Sequence, residues 1–184
     1  MLVYAAKIQI FLVLIISSSL FIYGQKDCGF KIDEEKILKN ENLDFFLNKL
    51  KNEKFDITNR KEDIPKHVFK QLECLNDEFT IANPNEDYQS SDIIDLDKKL
   101  PERGLIFYAK SKSTLVLYYS ISIGPGITSK ILFIEYNAEK IIDFWCGNSM
   151  GRADVKDLEG INIIINREKK LQYPLGLQNG MIVF

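Results

Sequence analysis

With one histidine, His67, among 184 residues, this chain has little material for a histidine-based catalytic centre or a zinc site. It also lacks a Gly-x-Ser-x-Gly elbow, a His-Glu-x-x-His pair, a Cys-x-x-Cys pair and a glycine-rich phosphate loop. Gly124-Pro125-Gly126 joins two strand-like runs and does not enter a helix, so it lacks the amide geometry that cradles phosphate. Cys74 shares a helix face with His67 but stands about two turns away, too far for a nucleophile–base dyad. No metal or cofactor is expected.

Net charge is small as well, because 24 basic and 26 acidic residues nearly cancel. The formal net charge is −2, and no basic face is clustered, so no nucleic-acid partner is expected. The pairs Lys98-Lys99 and Lys169-Lys170 read as solvated charges. Glu86, Asp87, Asp92, Asp95 and Asp97 fall in a turn-rich stretch, but the alternating ligands and central glycine of a calcium loop are missing. They read as an acidic surface loop.

There is no internal repeat and no heptad run, and only one long apolar segment. That segment, residues 8–23, follows Lys7, contains Ser17, Ser18 and Ser19, and ends at Gly24. It reads as an export signal, residues 1–24, cut to leave Gln25 first. A retained anchor is the alternative, since the run is near the lower limit for crossing a bilayer. Membrane contact is expected through this segment alone. Its removal takes away Lys7 and no acid, so the charge moves from −2 to −3. Residues 25–184 have the size of one domain, secreted or periplasmic.

Cysteine is limited to Cys28, Cys74 and Cys146. In an oxidising compartment one disulfide is expected, and Cys28–Cys74 is the preferred pair. Cys146 falls on an apolar strand face, where a free thiol behaves as a small hydrophobe. Gln25, Lys26 and Asp27 ahead of Cys28 are too large or charged for a lipoprotein signal.

What is abundant is β-branched and aromatic residues over 105–147, in four runs separated by short turns. This pattern predicts an antiparallel meander. Alternation assigns Leu105, Phe107, Ala109, Leu115, Leu117, Tyr119, Ile121, Leu132, Ile134, Tyr136, Ile142, Phe144 and Cys146 to an apolar face. The other face is mixed: Ile106, Tyr108, Lys110, Val116, Tyr118, Ser120, Ile131, Phe133, Glu135, Ile141, Asp143 and Trp145. It holds too many rings for an open surface and too many charges for a dry core.

Ahead of the meander the apolar spacing becomes helical. Ile37 and Leu38 lead to Leu43, Phe46, Leu47 and Leu50, with Asn40 and Asn42 as caps or an interruption. Pro65 opens a second helix to Leu75 with Ile64, Val68, Phe69, Leu72 and Leu75 on one face. Both helices are expected to cover the apolar sheet face. After the meander, Asp154 is a candidate cap, but residues 161–165 are β-branched and a strand is nearly as well supported. A turn and a short strand through Met181, Ile182, Val183 and Phe184 close the chain.

The expected fold is therefore α+β: N-terminal helices packed on a four-stranded antiparallel meander, with a short C-terminal helix or strand appendage. In element order, residues 33–147 resemble cystatin-like and nuclear-transport-factor-like domains; no residue motif accompanies the resemblance, and it implies no functional residue. Three functions fit. The first is an exported, non-catalytic binding protein for an unknown protein or small molecule, using Tyr108, Tyr118, Phe133, Glu135, Asp143 and Trp145 on the mixed face. The second is a small envelope enzyme with Asp143 or Glu135 as a general acid among those rings. The third is a periplasmic immunity-type protein that meets a basic toxin with acidic residues 86–97.

Overall fold

A computed structural model describes residues 27–76, 79–90, 99–123, 126–149, 154–170 and 184. In chain order these form α1 (Glu34–Leu38), α2 (Leu43–Asn52), β1 (Asp56–Ile57), a 3-10 turn (Lys61–Asp63), α3 (Lys66–Leu75) and β2 (Ile81–Ala82). Then come β3 (Arg103–Lys110), β4 (Thr114–Ile123), β5 (Gly126–Tyr136), β6 (Ile141–Ser149) and α4 (Leu158–Lys170). The export segment, the terminal turn and strand before Phe184, and Asp92, Asp95 and Asp97 lie outside the described residues. Among the described residues no helix is long and apolar enough to cross a membrane.

β3 to β6 form the expected antiparallel meander. Two short strands extend it to six along the outer side of β3: β1 pairs antiparallel near its end, and β2 pairs parallel at its start. Strands of two residues leave little edge for another chain to join.

Two register shifts correct the expected faces. In β3 the pairing moves from Leu105–Tyr119 to Phe107–Tyr118, which leaves Ile106 as an extra residue. Because side chains alternate with period two, one extra residue exchanges the faces of everything beyond it. Tyr108 and Lys110 therefore stand with Leu117 and Leu115 on the apolar face, while Phe107 and Ala109 join the mixed face. In β6 the shift between Asp143 and Ile141 does the same for Ile141, which pairs with Tyr136 and is buried; Ile142 is exposed.

The helices do not share a face as expected. α3 covers the apolar face: His67 approaches Tyr136, and Phe69 contacts Phe79, which in turn meets Tyr119. α1 and α2 cover the mixed face, where Phe46 stacks on Phe133 and Lys49 reaches Glu135. A sheet that is apolar on both sides needs a cover on both. The mixed face is buried despite Glu135 and Asp143 because both sit at one end, where Lys49 and Lys36 of the helices supply partners.

Capping explains the break between α1 and α2. Asp33 accepts from the Lys36 amide at 3.0 Å and starts α1. Asn40 takes φ of 55°, a left-handed conformation that asparagine tolerates, and turns the chain into α2. Asn42 occupies the cap position of α2 but makes no capping bond; its side chain is used elsewhere. At residues 161–165 the helix prevails. Ile161, Ile164 and Ile165 are buried at helical spacing while Ile163 points outward, and the cap is Asp157, which accepts from the Gly160 amide, rather than Asp154.

Candidate functional site

Of the residues nominated from sequence, Tyr118, Phe133 and Trp145 lie together on the mixed face and are buried. The Trp145 ring stacks at 5.3 Å on Phe133, which stacks at 5.5 Å on Phe46 of α2. The indole Nε1–H donates to Asn40 Oδ1 at 3.0 Å. The N-terminal helices thus fill this face. Tyr108 is not part of it: on the opposite face its hydroxyl donates to the Asp63 main-chain oxygen at 3.0 Å.

Glu135 and Asp143 are direct cross-strand partners. Two carboxylates so placed repel unless cations intervene. Lys36 of α1 donates to both Asp143 oxygens at 3.0 and 2.9 Å, and Asn42 adds a bond at 2.9 Å to one of them. Asn42 also donates to the Phe144 main-chain oxygen, and the Phe144 amide donates to Asp143, so both groups of this edge residue are satisfied. Lys49 of α2 bridges Glu135 at 2.8 Å and Glu53 at 3.2 Å. Burial opposes its charge, but the two carboxylates outweigh that and hold the Lys49 pKa raised. Burial likewise opposes the Glu53 carboxylate, yet Ser111 and Lys49 hold it below the usual range. This acid–lysine end clamps the helices to the sheet.

In the described part of the acidic stretch, Glu86 caps its own turn by accepting from the Asn83 amide at 2.8 Å, and Lys61 lies 3.4 Å away. Among the described residues no three His, Cys, Asp or Glu side chains gather to hold a metal ion.

A second cluster lies at one end of the apolar face. Tyr119, Lys130 and Asn148 face one another across β4, β5 and β6, and Arg103 pairs with Ile121 one row away. Lys130 is 0% exposed and Arg103 1%. The Arg103 guanidinium lies 4.6 Å over the Phe79 ring and 6.0 Å from the Tyr119 ring, and it pairs with Glu102 at 2.9 Å. Its Nη2 donates at 2.7 Å to the main-chain oxygen of Phe184, which also accepts from Asn76 at 2.6 Å. Phe184 is buried with its ring 4.9 Å from Phe144. One guanidinium and one side-chain amide converge here on the Phe184 oxygen, and the rings of Phe79 and Phe144 meet its side chain.

Burial sets the protonation states in this cluster. It pulls Lys130 down to about 8; the Arg103 charge acts in the same direction, while Cys146 opposes. It pushes the Cys146 thiol up to about 12 against the pull of Lys130, which makes that sulfur a poor nucleophile. It raises Tyr119 as well. For Lys130 the folded pKa is below the unfolded one, so between about pH 8 and 10.5 the unfolded chain binds more protons and stability rises with pH. Cys146 and Tyr119 act oppositely at alkaline pH. Denaturant melts of wild type and Lys130→Met isolate the lysine: their stability difference should shift in favour of wild type by roughly 3 kcal/mol between pH 7 and 10.5.

Sequence reasoning passed over Arg103, Lys130 and Phe184. Lys130 falls on the apolar face by simple alternation with Leu132 and Ile134, and a lysine in that position was the available signal. Comparison with protein-family models, curated proteins and solved structures finds no match for this chain.

Proposed function

We propose that this is an exported, non-catalytic binding protein whose recognition site is the cationic end of the apolar sheet face, around Arg103. One observation carries the reading: a buried guanidinium, stacked on Phe79, donates together with Asn76 to the main-chain oxygen of Phe184, whose ring packs against Phe79 and Phe144. Mostly apolar pockets with a few convergent polar groups are the usual form of binding sites. The carboxylates nominated for catalysis are instead engaged with Lys36, Lys49 and Asn42. Export is supported by the signal-like residues 1–24 and by the Cys28–Cys74 disulfide, which suits an oxidising compartment.

Retention of components of the exported fraction on immobilised protein tests this. Wild type should retain a partner that Arg103→Gln, at an equal folded fraction by circular dichroism, retains at least tenfold less. Equal retention by both, or exported chains whose intact mass still includes residues 1–24, would count against the proposal.

A further inference from the structure

Phe184 is held in the manner of a ligand. Its ring sits between Phe144 at 4.9 Å and Phe79 at 6.2 Å. Its main-chain oxygen is held by two side chains, from Asn76 after α3 and from Arg103 on β3. Donors from separate elements that converge on one oxygen fix both position and orientation. Met181, Ile182 and Val183, which precede Phe184 in sequence, are apolar residues, two of them β-branched, and residues 171–183 contain no charged side chain.

Resting on the reading above, we propose that this slot recognises an aromatic residue of an apolar, extended peptide segment from a partner protein, with the oxygen beside that residue on Arg103 and Asn76. Phe184 is the tethered occupant that such a segment displaces. Tethering gives the resident residue an effective concentration of order millimolar, so a partner must outcompete it, and the site is kept filled until one does.

The test is calorimetric titration of full-length mature wild type and Phe184→Ala with the peptide acetyl-Met-Ile-Val-Phe, beside acetyl-Met-Ile-Val-Ala and toluene. Phe184→Ala should bind the phenylalanine peptide at one site, at least tenfold more tightly than wild type does and at least tenfold more tightly than it binds the alanine peptide. Adding Arg103→Gln should remove the binding, and the peptide should raise the melting temperature of Phe184→Ala. Toluene uptake without peptide uptake would mean a vacated core cavity only and would overturn the proposal. Equal peptide affinity in wild type and Phe184→Ala, or a Phe184→Ala protein that does not fold, would do so too. If Arg103-dependent retention of a partner persists while the peptide does not bind, the ligand class is wrong and the broader binding function stands.

Discussion

Trp145→Ala should destabilise the protein by about 3–5 kcal/mol, read as a lowered urea midpoint with an unchanged slope. The ring is 0% exposed and stacks on Phe133, so truncation opens a cavity inside a continuous stack from β6 through β5 to Phe46 of α2. The loss does not stop at area. Asn40 Oδ1, which is partly buried, would also lose its indole donor at the turn that sets α1 against α2. A ring serving as a recognition anchor would behave differently. Its removal would cost affinity and leave the midpoint within about 1 kcal/mol of wild type.

Reduction of the Cys28–Cys74 disulfide should cost about 4 kcal/mol, the loop-closure entropy expected for its sequence separation of 46. The bridge joins the segment that leads into α1, over one face, to the end of α3, over the other. Gln71 strengthens the same junction: it donates to the Cys28 main-chain oxygen at 2.9 Å and accepts from the Ile141 amide of β6 at 2.6 Å. The bond therefore ties both covers together around the β6 edge. Thermal melts with and without dithiothreitol measure the effect. Thiol titration of the oxidised native protein should find no reactive group, and after unfolding one, because Cys146 is buried and its thiol is held up to about 12.

The meander was legible because β-branched and aromatic runs separated by turns leave few other folds open. The disulfide was legible because two cysteines fell outside the sheet and the third on its apolar face. Face membership was legible only as far as Leu105 in β3. A bulge adds one residue with no sequence mark of its own, and beyond it Tyr108 changes sides. The division of helices between faces was hidden for a related reason. Glu135 and Asp143 read as evidence of solvent, yet they are met by Lys36 and Lys49, whose helical spacing says nothing about which sheet face they will reach. Residues 161–165 carry strand propensity and were decided by burial of Ile161, Ile164 and Ile165 on one helix face. The cationic cluster needed three strands in register, and Phe184 needed the tertiary fold to bring it beside Arg103.

Recognition at the Arg103 end, with the ring face as interior, is tested most directly by one nitrogen–proton correlation spectrum recorded during titration of the mature protein with acetyl-Met-Ile-Val-Phe. The chain has a single tryptophan, so its indole signal reports on the mixed face without ambiguity. The predicted result is movement of the Arg103 and Asn76 side-chain signals, saturating together, while the Trp145 indole signal stays in place. A Trp145 indole signal that moves while Arg103 and Asn76 remain fixed would contradict it.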